Sequence, residues 1–358
     1  MMHNAEQYEH NTAQHYPKVL HVDTTFAPEN TFKTAIWQDK LDYRAYAKTP
    51  AWWRKIEQKL HMDISLARQA IARSKDYDVL LCGSEKVSIP LALLGCPKPI
   101  TTIVHHVVPR RKAQLIKLLG VTQYWAKVGV YARADADFMA HTFGYPRENI
   151  FNYASTSLES LSQPLLIAGQ DGMILSAGVS NRDYPTLVTA LAGLPGYRTE
   201  IYASSRFKDA YRGGQTDVIP EWIEFMPDTP HTQVVQRMTT HARFVAVPIM
   251  NTTQYSAGCS TIMEASAASK AVVATRTMGS VDYVEDGLTG FLVPPGDSEA
   301  MREAIQKLWN DPQLAYRMGL AGRKLVEARF DPMIVTEGVR QAMIAAYQTT
   351  KSNVSAST

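Results

Sequence analysis

The order of apolar and turn residues predicts an α/β protein, built as two doubly wound parallel-sheet lobes that face each other across a cleft. Three observations carry this. Apolar runs of strand length alternate with stretches of helical spacing, the pattern of parallel strands joined by crossover helices. The alternation occurs twice, restarting after a break at Ser155 to Gly169 that is rich in Ser and Leu and contains Pro164. The 358 residues are also enough for two separately cored units.

In the first series, Lys18 to Phe26 reads as a strand that leads into a loop. Ala51 to Ser74 has helical spacing, with Trp53, Ile56, Leu60, Ile64, Leu66 and Ile71 near one face. Asp78 to Gly83 is a strand with a glycine exit, Ser84 to Gly95 a short helix, and Ile100 to Val108 a buried strand. A helix over Arg110 to Gln123, a strand over Val128 to Tyr131, a helix over Ala132 to Gly144 and a strand over Ile150 to Ala154 complete it. In the second series, strands at Met173 to Ala177, Tyr197 to Ala203, Trp222 to Met226 and Phe244 to Pro248 accompany helices at Asp183 to Ala192 and Thr232 to His241. Glu299 to Asn310, Leu314 to Arg329 and Pro332 to Tyr347 read as amphipathic helices. The implied division is a disordered tail over 1–17, a first lobe over 18–158, a second over 159–331, and a terminal helix with a loose tail over 332–358. Sheets of this kind bind ligands beyond the C-terminal ends of their strands.

A content of 45% hydrophobic and 20% charged residues is that of an ordinary soluble globular chain, so function has to be read from motifs. The net charge of +3 and the lack of a recognition motif argue against a nucleic-acid partner. Cys82, Cys96 and Cys259 form no disulfide framework or metal-ligand spacing, and each reads as a small buried hydrophobe in a reducing compartment. Cys259 as a nucleophile is the weaker alternative, since no His or Asp is near in sequence. The first 17 residues are polar, carry three His and lack the apolar segment of a signal peptide. No apolar run reaches the ~20 residues that span a bilayer. These features imply a cytoplasmic chain.

The most informative stretch begins at Gly258. Gly258-Cys259-Ser260-Thr261 opens a helix, Glu264 lies within its first two turns, and Ala271-Val272-Val273-Ala274-Thr275 is a buried strand. Asp286-Gly287-Leu288-Thr289-Gly290-Phe291-Leu292-Val293-Pro294-Pro295-Gly296-Asp297 then makes a glycine-rich return and a Pro-Pro-Gly-Asp corner. The unpaired amides of a helix start, with its dipole, bind phosphate oxygens. A carboxylate slightly further along can accept from sugar hydroxyls. The combination suits a nucleoside diphosphate.

This stretch resembles the donor-binding domain of GT-B glycosyltransferases, specifically the GT4-like group. The resemblance continues through Ala300, Ala304, Leu308, Asp311-Pro312, Met318-Gly319, Ala321-Gly322-Arg323 and Val326-Glu327, covers about residues 165–345, and is most specific over 258–330. It implies two Rossmann-like domains, the first for the acceptor and the second for a nucleotide sugar, with the terminal helix returning toward the first lobe. It implies Glu264 as the ribose contact and Gly258, Ser260 and Thr261 as the phosphate cradle. The alternatives are a solvated carboxylate stabilised by the helix dipole by ~0.3–1 kcal/mol and an ordinary N-cap. Ser256, eight positions before Glu264, stands where the family usually has another Glu for the donor sugar. Gly178 stands where a Gly-Arg pair is usual, but Val179 replaces the Arg, and Arg182 falls on the position of a diphosphate-binding Lys. A guanidinium there can hold a diphosphate bidentately and stabilise the leaving group. A surface Arg paired with Asp183 is the other reading. His105, near the end of its strand, matches a family His that faces the donor sugar; a structural His is the alternative.

From Lys86 to Ala134 there are 8 Lys or Arg and no Asp or Glu. Arg110, Arg111 and Lys112 open a helix with Leu115, Ile116, Leu118 and Leu119. This is either a solvated basic face or a patch for anionic lipid headgroups, which would make the protein peripheral on the inner membrane face. The resemblance implies a retaining, metal-independent hexosyltransferase (EC 2.4) with no cofactor. Its co-substrate is a nucleotide-diphosphate sugar, UDP and GDP both being open. Its acceptor is a glycan, a lipid-linked sugar or a small molecule. Two alternatives remain: a catalytically silent binding subunit, favoured by Ser256 and Val179, and a sugar-nucleotide epimerase, disfavoured by the Pro-Pro-Gly-Asp corner.

Overall fold

The computed structural model describes residues 16–23, 39–41, 49–156, 164–167, 172–204 and 219–355. Nearly all of the 1–17 tail, the end of the first strand and most of the Ser155 to Gly169 break lie outside the described residues.

Two six-stranded parallel sheets form the frame. The first contains β1 (Val19–Val22), β2 (Asp39–Leu41), β3 (Val79–Cys82), β4 (Ile100–Ile103), β5 (Trp125–Val130) and β6 (Ile150–Asn152), ordered β2-β1-β3-β4-β5-β6. The second contains β7 (Met173–Ala177), β8 (Thr199–Tyr202), β9 (Ile223–Phe225), β10 (Ala242–Val247), β11 (Ala271–Thr275) and β12 (Gly290–Val293), ordered β12-β11-β10-β7-β8-β9. β3, β7, β10 and β11 are buried at every position, because helices cover both faces of a parallel sheet. Strand order reverses between β1 and β3 in one sheet and between β7 and β10 in the other. Such reversal points leave a crevice beyond the strand ends.

The 51–74 segment differs from its sequence pattern. It forms two helices, Ala51–Leu60 and Ile64–Arg73, because His61 takes a left-handed conformation (φ 51°) and ends the first. Glu57 turns inward, and its carboxylate accepts from the Ser65 N–H at 2.5 Å. Trp52, Ile56 and Leu60, spaced four apart, are left 65%, 38% and 51% exposed. The chain ends differently too: the last helix runs past Tyr347, as Pro332–Ser355.

That helix crosses from the second lobe to the first. Its Val335, Val339, Ala342, Met343 and Ala346 are buried with Val19, Val79, Leu81 and Ile103 of the first sheet. Polar contacts join the lobes beside it. The Arg133 Nε meets Asp282 Oδ1 at 2.5 Å, the Tyr283 hydroxyl donates to the Tyr131 carbonyl, and the Thr156 N–H donates to the Phe330 carbonyl at 3.0 Å. The described part of the connecting segment is pinned through its carbonyls, by Lys270 Nζ to Leu165 (3.3 Å) and Arg243 Nε to Ile167 (3.2 Å).

Candidate functional site

A cavity of about 420 Å³ opens at the β7/β10 reversal. Ala177 to Ser180 and Arg182 reach it from the end of β7, Tyr202 to Ser204 from β8, Met226, Asp228 and Thr229 from beyond β9, and Gln254, Ser256 and residues of the Cys259–Ala267 helix start from beyond β10. Gly178, Arg182, Ser256, Gly258, Ser260, Thr261 and Glu264 all line it. The sheet topology thus brings together in one crevice the seven residues that the sequence places on the donor side.

The start of the helix Cys259–Ala267 borders one end of the cavity. Gly258 precedes it with φ 83°, a left-handed conformation that favours glycine, and a Cβ there would also press on the Ile249 Cδ1 at 2.5 Å. No side chain caps the helix, which leaves its first-turn amides for a ligand. Ser260 is exposed at the mouth, whereas Thr261 is buried. The Thr261 hydroxyl accepts from Arg182 Nη2 at 3.0 Å and lies 3.5 Å from the Ala177 carbonyl.

Arg182 is 6% exposed, and Asp183 is not its partner. Its Nε donates to the Ala177 carbonyl (3.0 Å) and its Nη1 to the Ser180 carbonyl (2.9 Å). Asp183 instead caps the Tyr184–Ala192 helix by accepting from the Thr186 N–H at 3.2 Å. The guanidinium therefore lies behind the Gly178 turn and beneath the start of the Cys259–Ala267 helix. Burial pulls its pKa below the usual arginine value, against the opposing pull of Tyr184, Cys259 and Glu264. It lends positive potential to the cavity from within the wall.

Glu264 has a partner that sequence reasoning missed: its Oε1 lies 2.8 Å from His231 Nε2. His231 opens the His231–His241 helix directly after Pro230. A helix start just beyond a strand end is the signal that could have found it. Asn181 and Gln254 were also missed. Asn181 donates to the Gln254 Oε1 at 2.8 Å, and both Asn181 (φ 52°) and the cavity residue Asp228 (φ 55°) are left-handed, as Asn and Asp tolerate.

A second cavity, about 710 Å³, lies in the first lobe, and Gln254 lines both. His105 and His106 lie just past the end of β4 rather than within it. His105 lines this cavity, its Nε2 2.8 Å from the Gly83 carbonyl and its N–H donating to Glu85 Oε2 at 3.1 Å. The expected cluster of Arg110, Arg111 and Lys112 is divided. Arg110 and Arg111 are exposed, but Lys112 turns inward and meets the buried Glu85 Oε1 at 2.6 Å. Burial alone would raise the Glu85 carboxyl; the Lys112 charge and the His105 N–H outweigh it and hold Glu85 below the usual carboxylate range. Burial and the Lys112 charge lower His106.

Cys259 is buried, and burial pushes its thiol far up, the condition of an inert core cysteine. Among the described residues no group of three His, Cys, Asp or Glu side chains could hold a metal ion, and no helix is long and apolar enough to cross a membrane.

Residues 218–325 match the sequence profile of the family described as glycosyl transferases group 1. The matched residues lie in the second lobe and include the start of the Cys259–Ala267 helix and Glu264. A 75-residue stretch of the chain is 43% identical to the capsular polysaccharide biosynthesis glycosyltransferase CapM of Staphylococcus aureus, covering 21% of this chain and 20% of that protein. A 66-residue stretch is 39% identical to the human alpha-1,3/1,6-mannosyltransferase ALG2, covering 18% and 16%. The chain thus spans a fifth or less of the length of these two relatives. A longer match, 25% identical over 174 residues, reaches the lipopolysaccharide core biosynthesis glycosyltransferase LpsE of Rhizobium meliloti, covering 48% of this chain and 49% of that one. In three dimensions the chain is similar to Anabaena HepE, solved in complex with UDP, at a TM-score of 0.69 and 15% identity over 91% of this chain and 99% of that one. It is also similar to a glycosyltransferase from Rickettsia africae, at a TM-score of 0.67 and 14% identity over 92% and 99%. These likenesses show the fold to be GT-B.

Proposed function

We propose that the protein transfers a hexosyl group from a nucleotide-diphosphate sugar, bound at the β7/β10 crevice, to an acceptor bound in the first lobe, with retention of configuration. One observation carries this: an uncapped helix start, a buried guanidinium behind it and a carboxylate in its second turn all border the same 420 Å³ cavity. Helix amides and the Arg182 charge would meet the diphosphate, and Glu264, oriented through Oε1 by His231, would offer Oε2 to a ribose hydroxyl. As the leaving diphosphate gains charge, donors already fixed by folding stabilise it without reorganising. His105 and Gln254 would stand between the donor sugar and the acceptor. UDP-glucose is the first donor to try, because HepE has been solved with it.

Release of UDP or GDP from UDP- and GDP-hexoses tests the reading, with and without candidate acceptors. Turnover that falls in Glu264→Ala supports transfer. Tight donor binding with no turnover would favour the silent-subunit reading, for which Ser256 and the fully engaged Arg182 speak.

A further inference from the structure

We propose that Gln254 reads the donor sugar, and that its side-chain amide selects a sugar carrying a carbonyl-type oxygen, in a carboxylate or an acetamido group, over one carrying hydroxyls alone. This rests on the transferase reading and concerns its donor. Gln254 lines both the donor cavity and the first-lobe cavity, so it stands where the sugar of a nucleotide held at the β7/β10 crevice would meet the other lobe. Its backbone is fixed on both sides. The Gln254 N–H donates to the Thr252 hydroxyl at 3.1 Å, and the Gln254 carbonyl accepts from the Ala257 N–H at 3.0 Å, just before the Cys259–Ala267 helix. The loop is also tied to the end of β7. Arg182 and Ile249 form an antiparallel bridge, and the Met250 N–H donates to the Asn181 carbonyl at 3.0 Å.

The side chain is oriented as well. Asn181 Nδ2 donates to Gln254 Oε1 at 2.8 Å, which turns the amide oxygen toward Asn181. The planar amide then directs Gln254 Nε2 elsewhere, and Nε2 has no partner among the described residues. A group that offers only N–H donors is best met by an oxygen with no proton of its own. A hydroxyl that accepts there must still find a partner for its O–H. The charges beyond favour the same atom. Lys86 and Arg111 line the first-lobe cavity, are exposed and have no ion pair among the described residues, whereas Glu85 of that cavity is already paired with Lys112 at 2.6 Å. A carbonyl or carboxylate oxygen at the junction therefore meets an N–H donor on one side and cations on the other. Asn181 holds the amide from a left-handed backbone (φ 52°). Asp adopts that conformation as readily, so the polarity of the pair can be inverted without straining the loop.

Calorimetry on the full chain tests this with UDP, UDP-glucose, UDP-N-acetylglucosamine and UDP-glucuronate. At least one of the last two should bind about tenfold more tightly than UDP-glucose, the worth of one well-placed hydrogen bond. The glucuronate reports the carboxylate and the N-acetylglucosamine the acetamido group. Gln254→Met removes the N–H without adding charge and at nearly constant volume, so it should bring the nucleotide sugars level. UDP affinity should be unchanged in that variant, which also shows that it is folded. Asn181→Asp can only accept, so it draws Nε2 to itself and turns Oε1 to the sugar. It should also remove the preference, although Gln254 is still present. A preference that survives either substitution overturns the proposal. So does a Gln254→Met variant that weakens UDP as much as the favoured sugar, since a residue that only braces the loop would do that. If UDP binds the wild type and the nucleotide sugars are not told apart, this inference fails alone. If UDP itself does not bind, it fails together with the uridine donor reading.

Discussion

Arg182 shows how one residue's surroundings decide what its substitution should do. Its side chain donates to two carbonyls and a threonine hydroxyl inside the wall. Arg182→Ala should therefore lower the melting temperature as well as nucleotide affinity, since each abandoned buried acceptor costs about 1–3 kcal/mol. Arg182→Lys should recover only part, because an ammonium cannot reproduce the guanidinium fork. An arginine reaching freely into the cavity would leave melting unchanged. Asp135, buried near Glu85 and Asp282, has its pKa raised by burial from 3.8 to about 7. A raised carboxyl binds its proton more tightly in the folded state, so this contribution is present below pH 4 and is lost as pH rises toward 7. Denaturant titrations should show stability falling with pH in that window, and Asp135→Asn should flatten the slope. The residues from Ser256 to Glu264 were legible in the sequence because they are contiguous around one helix start. His231 was not, because it meets Glu264 only through the order of strands in the sheet.

At the scale of elements, strands were easier to read than helices for a physical reason. Strands covered on both faces are apolar throughout, so β7, β10 and β11 stand out as runs. The 51–74 stretch was misread because the first half of its apolar stripe, Ile56 and Leu60, faces outward while the charged Glu57 faces in, and only in the second helix do Leu66 and Ile71 turn to the core. Periodicity locates an apolar face without saying what covers it. The glycine in Met318-Gly319 has a packing reason. The Pro312–Arg329 helix lies so close to Ser269 that a Cβ at 319 would stand 2.0 Å from its carbonyl oxygen. Gly319→Ala should destabilise by about 1–3 kcal/mol, the usual cost of overpacking, in chemical denaturation. Wild-type stability in that variant would mean the helix can move away freely.

For the whole molecule, magnitudes decide what holds the lobes together. The Arg133–Asp282 pair bridges them, but the Arg133 side chain is 79% exposed, and such pairs contribute about 0–1 kcal/mol. The crossing helix buries Val339 and Met343 fully against the first sheet. Met343→Ala should cost about 2–5 kcal/mol, and Arg133→Ala less than about 1 kcal/mol, in denaturant midpoints read under the same conditions. The twofold alternation made the two-sheet architecture legible, while the contacts between lobes come from single residues far apart in sequence. The central claim is that the β7/β10 crevice binds a nucleoside diphosphate through Glu264. Calorimetric titration of UDP and GDP into wild type and Glu264→Ala tests it most directly. The account predicts saturable binding of at least one nucleotide, weakened by about 1–3 kcal/mol in the variant. Binding of neither nucleotide to the wild type, or equal affinity in both proteins, would contradict it.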